Sequence, residues 1–149
     1  MSEDKTEKST LDLTLERFSK TRSSISKEIQ ESVQKMSSFK NLKEVQVSML
    51  SLRQRLLEEN HTLLENVTRV RKTLRKARGQ HLEHLSNKVQ TRYQYNEKTV
   101  LIEASTAETK ELLDVFENQM AFFVDSIKTV DNVLFGIKTR VEIEKTLGI

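Results

Sequence analysis

Leu42, Val45, Met49, Leu52 and Leu56 follow one another at steps of three, four, three and four residues. That spacing is a heptad seam, and it sets all five on one stripe of an α-helix. Proline is absent from the 149 residues and glycine occurs three times, so the chain lacks both the usual helix breakers and the turn residues a sheet needs. With 36% hydrophobic residues, patterned in this way, there is enough apolar material for a core. The fold class that follows is all-α, with long amphipathic helices packed as a helical hairpin or coiled-coil-like bundle.

The same spacing recurs on either side. Leu11, Leu15, Phe18, Ile25, Ile29, Val33 and Met36 form an earlier stripe, ended by the polar break of Ser37, Ser38 and Asn41. Beyond Leu56 the seam is interrupted at Glu59 and resumes through Leu63, Val67, Val70, Leu74 and Ala77. Two successive steps of four through Leu63 resemble a stutter that locally unwinds a supercoil. Gly79 and Ser86-Asn87 are both candidate ends for this helix. A third stripe runs from Leu112 to Val141 and holds most of the phenylalanines. Asn96 caps an early start, whereas Ser105-x-x-Glu108 is a capping-box pattern for a later one. The reading is a frayed tail over residues 1–10 and one helical domain over 11–149, with helices at about 11–37, 42–78 and 97–146.

Charge is distributed unevenly along these segments. Residues 1–65 carry 11 basic and 11 acidic side chains, 66–98 carry 9 and 2, and 99–149 carry 5 and 9. The middle segment, at +7, exceeds the net charge of +3 for the whole chain. Its densest part is RVRKTLRKAR, where Arg69, Arg71, Lys72, Arg75, Lys76 and Arg78 occur in ten residues and no carboxylate follows until Glu83. Projected at 100° per residue, the cations lie off the arc of Val67, Val70, Leu74 and Ala77. Each like-charge neighbour at i+3 or i+4 costs the helix a few tenths of a kcal/mol. Two explanations stand: a face that binds a polyanion, or a solvated face that pairs with the acidic third helix. Downstream, Arg92, Tyr93, Tyr95 and Lys98 combine cations with rings that stack on unpaired bases.

Other chemistries find little here. The chain has no cysteine, which removes disulfides and thiolate sites. His81 and His84 stand at i, i+3 with no third ligand in view, so they are read as polar helix residues and the chain as binding no metal and no cofactor. There is no Gly-rich phosphate loop, nucleophile elbow or acid and base pair in an apolar setting, so the protein is read as a non-enzyme. No apolar run approaches the ~20 residues that span a bilayer. The N-terminus is too polar for a signal or transit peptide, and the expectation is a soluble, cytoplasmic protein.

The third stripe is broader than a simple seam. A helix of about 40 residues is ~60 Å long, more than one small protomer covers. Phe116, Met120, Phe123, Ile127, Val130, Leu134 and Ile137 are therefore expected at an oligomer interface.

Several short pieces then fall into a familiar order: Met49-Leu50, Lys76-Ala77-Arg78, Arg92-Tyr93, Lys98-Thr99-Val100-Leu101 and Ile137-Lys138-Thr139-Arg140. In this the chain resembles the UvsY-like recombination mediators of tailed phages over roughly its last two-thirds. The resemblance implies a helical homo-oligomeric ring that binds single-stranded DNA. Such a mediator helps a RecA-like recombinase displace the single-strand DNA-binding protein, here in the host bacterial cytoplasm. It ties Lys76 and Arg78 to strand binding and the C-terminal helix to oligomerisation. The chain departs from the family pattern at His81-Leu82-Glu83-His84 and at Val141-Glu142. Two rival readings remain: a coiled-coil adaptor or scaffold with no nucleic-acid ligand, and, less well supported by the side chains near Arg69, a basic helix lying on an anionic membrane.

Overall fold

The computed structural model describes residues 8–88 and 92–148. Three long helices pack against one another, α1 over Thr10–Lys35, α2 over Leu42–Glu83 and α3 over Tyr95–Thr146. A 3-10 turn, Phe39–Asn41, precedes α2, and a wide π-helical turn, His84–Lys88, follows it. No strand occurs among the described residues. Most of the tail expected at residues 1–10 lies outside the described residues; within it, Ser9 caps α1 by accepting the Asp12 N–H on its hydroxyl at 3.2 Å.

The chain forms two compact units, one of residues 1–62 with 119–149, the other of residues 63–118. The first is a three-helix bundle of α1, the first part of α2 and the last part of α3. Its core contains Phe18 and Ile25 of α1, the seam Leu42, Val45, Met49, Leu52 and Leu56 of α2, and Phe123, Val130, Val133 and Ile137 of α3. Each such side chain contributes about 1.5–3 kcal/mol on burial. Ion pairs Arg55–Glu28 at 2.5 Å and Arg53–Asp131 at 2.7 Å mark the register of α2 against its two neighbours. Arg140 donates to the carbonyls of Met36 and Ser37, closing the end of α1 that the serine break opens.

The inward face of α1 differs from its most apolar stripe. Leu15 and Val33 are exposed, while Thr14 and Ser32 are buried in their place. Leu11, Thr14, Phe18, Ile25, Ser32 and Met36 keep the helical period that the bundle imposes, and the Thr14 hydroxyl donates to the Thr10 carbonyl at 2.8 Å, so its burial leaves no donor unmet. The interruption in α2 is also displaced by one residue. Glu59 is exposed, whereas Asn60 takes the inward position with its Oδ1 buried and, among the described residues, without a hydrogen-bond partner. In the same bundle Gln119 is wholly buried; it accepts from Arg22 at 2.9 Å and donates to the Phe18 carbonyl at 3.4 Å.

The second unit is an antiparallel hairpin of the end of α2 and the start of α3. Leu63, Val67 and Leu74 bury against α3, from which Leu113, Phe116 and Thr106 turn inward. Gly79 ends nothing: α2 runs through it to Glu83. Nor does Ser105 start a helix, because its hydroxyl donates back to the Leu101 carbonyl at 2.8 Å inside α3. The start lies at Tyr95, where the Glu97 carboxylate accepts the Gln94 N–H at 3.0 Å, half of a capping box.

Candidate nucleic-acid interface

The hairpin unit carries the cationic run. Val67 and Leu74 fix the inward face of α2, with Val70 and Ala77 half-buried beside them. All six of Arg69, Arg71, Lys72, Arg75, Lys76 and Arg78 are exposed. They divide by angle. Arg69, Lys72 and Lys76 fall on the side of α2 opposite Val67 and Leu74, Arg75 stands at right angles to it, and Arg71 and Arg78, seven residues apart, flank the seam. Arg71 meets Glu117 of α3 at 2.7 Å. The other five form no ion pair among the described residues.

This arrangement has an energetic consequence. Arg69–Lys72, Lys72–Arg75, Lys72–Lys76 and Arg75–Arg78 are like-charge neighbours at i+3 or i+4. At roughly 0.2–0.5 kcal/mol each, they charge the helix about 1–2 kcal/mol of self-repulsion. The helix dipole does not offset it, since its favourable field falls off within the last turn and α2 continues five residues beyond Arg78. An anion laid along this face relieves the repulsion.

The downstream candidates fall into two groups. Arg92 is exposed and Tyr93 half-buried, and both line a shallow groove with Asn96, Val100 and Leu101. Lys98 lies elsewhere on α3, donating to the Ser86 hydroxyl at 3.1 Å, and shares with Arg78 a groove of about 360 Å³. Tyr95, the outer of the two tyrosines, is 79% exposed at the mouth of that groove. Leu82, Ile102 and Glu103 complete it. The periodicity of Tyr95, Lys98, Thr99 and Ile102, at i, i+3, i+4 and i+7, is the signal in the sequence that marks this face of α3.

The protomer itself buries four of the seven residues expected at an oligomer interface. Phe116, Phe123, Val130 and Ile137 are buried within the protomer, so the chain's own helices cover them. Met120, Ile127 and Leu134 are half-buried. The apolar side chains that α3 leaves open include Val100, Leu101, Val124, Ile143 and Phe135, the last 70% exposed. Among the described residues no three of His, Cys, Asp and Glu converge as metal ligands, and no helix is long and apolar enough to cross a membrane. Comparisons with protein-family models, with curated proteins and with solved structures give no match. The class defined by fold and surface is thus an all-α protein with a one-sided cationic helix.

Proposed function

We propose that the protein is a non-enzymatic, single-stranded-DNA-binding recombination mediator of the UvsY-like kind. It helps a RecA-like recombinase load onto DNA covered by single-strand DNA-binding protein, in the cytoplasm and as a homo-oligomer. One observation carries the reading: Arg69, Lys72, Arg75, Lys76 and Arg78 stand exposed on α2 with no ion-pair partner among the described residues. Neighbouring cations three or four residues apart advance about 4.5–6 Å along the helix, forming a track for a phosphate backbone without reading sequence. Binding of this type releases about 0.7 counterion per phosphate contacted on a single strand. Repetition of the track around an oligomer multiplies a modest affinity through effective concentration.

The Arg71–Glu117 pair favours the rival, a scaffold in which acidic α3 segments of neighbouring copies take up the remaining cations. Fluorescence anisotropy of labelled single-stranded DNA across a salt series separates the two, with wild type beside Lys76→Ala/Arg78→Ala. The mediator reading expects binding at low salt that weakens steeply as salt rises, with weaker binding and a shallower slope in the double variant. Absence of binding by wild type at low salt sinks it. Equal affinity and slope in both proteins removes Lys76 and Arg78 from the site.

A further inference from the structure

We propose that the groove between the end of α2 and the start of α3 receives an unpaired base of the bound strand and prefers bases bearing an exocyclic amino group. The inference rests on the DNA-binding reading and adds a base site to a surface so far argued for phosphates alone.

Cations and apolar surface meet in this groove. Arg78 and Leu82 reach it from one face of α2, and Tyr95, Lys98, Ile102 and Glu103 from one face of α3. Its volume of about 360 Å³ is within the range of small-ligand sites. Between Arg78 and Leu82 stands Gly79, and beyond its chain neighbours and the backbone of its own helix no heavy atom lies within 4 Å of where its Cβ would be. The missing side chain leaves the floor open. Leu82 and Ile102 give that floor apolar walls, which a phosphate does not need and the face of a base does. Tyr95 holds its ring largely in solvent at the rim, where it is free to stack; such stacking is worth about 1–3 kcal/mol per base. The Ser86 hydroxyl accepts from the Lys98 ammonium at 3.1 Å and so orients it. Lys98 and Arg78 are then placed for the phosphates on either side of the inserted base.

Glu103 supplies the preference. Its carboxylate lines the groove and forms no ion pair among the described residues. A carboxylate accepts hydrogen bonds and donates none; it repels a phosphate and accepts from the amino group of cytosine or adenine. Thymine instead presents carbonyl oxygens on both sides of its imino N–H, and these face the carboxylate unfavourably.

The test compares labelled oligo-dC, oligo-dT and an abasic strand of the same length by anisotropy at low salt. Proteins are wild type, Tyr95→Phe, Tyr95→Ala, Glu103→Gln and Gly79→Leu, each checked for helicity by circular dichroism. Wild type is expected to bind oligo-dC roughly threefold to tenfold more tightly than oligo-dT, a difference that Glu103→Gln removes. Tyr95→Ala and Gly79→Leu are each expected to lose about tenfold on oligo-dC with the salt slope unchanged, while Tyr95→Phe retains wild-type affinity. The abasic strand binds wild type no better than oligo-dC binds Tyr95→Ala. Equal wild-type affinity for abasic and base-bearing strands overturns the base site and leaves backbone binding standing. Equal affinity for oligo-dC and oligo-dT overturns the role of Glu103. No binding of any strand at low salt overturns the DNA reading itself.

Discussion

Arg71 and Glu117 meet at 2.7 Å across the α2–α3 hairpin, and no other member of the six-cation run forms an ion pair among the described residues. One cation is thereby set aside for holding the hairpin, and the rest are left to solvent or to a ligand. An exposed pair of this kind contributes at most about 1 kcal/mol to folding. Its effect on the field of the face is the more useful observable. Arg71→Ala is expected to change single-strand affinity less than Arg75→Ala or Lys76→Ala. Glu117→Gln releases Arg71 and is expected to tighten binding about twofold to threefold, steepening the salt slope by up to about 0.7. Anisotropy across a salt series measures both; weaker binding by Glu117→Gln contradicts the partition.

Gly79 sits inside α2 with open space around its absent Cβ. Glycine in a helix interior costs about 0.5–1 kcal/mol relative to alanine. Gly79→Ala is expected to stabilise the protein by that amount and to raise Tm by a few degrees in a thermal melt. A lower Tm would mean that the backbone there is not helical.

Asn60 places in the seam between Leu56 and Leu63 an Oδ1 that has no hydrogen-bond partner among the described residues. Replacing a buried, unsatisfied polar group by an apolar one of similar size removes its desolvation cost. Asn60→Leu is expected to gain about 1 kcal/mol in urea unfolding, whereas Leu52→Ala, in the same seam, loses about 2–5 kcal/mol. Destabilisation by Asn60→Leu would show that Oδ1 has a partner in solution.

Arg140 caps α1 from α3 through the Met36 and Ser37 carbonyls. Hydrogen bonds from a charged donor contribute about 1.5–3 kcal/mol, less where solvent competes. Arg140→Ala is expected to speed amide hydrogen exchange in the last turn of α1 and to leave single-strand affinity unchanged. Unchanged exchange there removes the cap from the account.

Phe123 and Phe135 test which part of α3 an oligomer uses. Phe123 is 2% exposed and Phe135 is 70% exposed. Phe123→Ala is expected to cost about 3–5 kcal/mol of stability. Phe135→Ser is expected to keep the melt of the protomer and to lower the sedimentation coefficient. A clean monomer for wild type at micromolar concentration contradicts self-association.

Much of the fold is legible in the spacing of apolar residues. The Leu42 to Leu56 seam lies buried as its period demands, and the helix limits follow from polar breaks at Ser37 and beyond Glu83. Local chemistry misleads where packing overrides it. Thr14 and Ser32 displace Leu15 and Val33 from the inward face of α1, because the period of a bundle is set by all its helices together. Ser105-x-x-Glu108 has the residues of a cap, yet the apolar residues that continue on both sides keep α3 intact. The wide apolar face of α3 is ambiguous for a related reason. A wide apolar face on α3 signals cover from several sides without saying whose side chains provide it, and for Phe116, Phe123, Val130 and Ile137 the cover is the chain's own. At the candidate site the six cations are evident from composition. Their division is not, since pairing Arg71 with Glu117, 46 residues away, depends on the register of two antiparallel helices. Tyr95 and Glu103 enter the groove through the same register.

The most direct test of the central claim, that the outward face of α2 holds a single strand, is a charge reversal there. Anisotropy of a labelled mixed-sequence single strand at low salt is read for wild type and for Arg75→Glu/Lys76→Glu, with circular dichroism confirming that both are helical. The predicted result is binding by wild type with a log–log salt slope of roughly −3.5, about −0.7 for each of the five unpaired cations, and loss of most of that binding in the variant. Equal binding by the two proteins, or none by wild type, contradicts it.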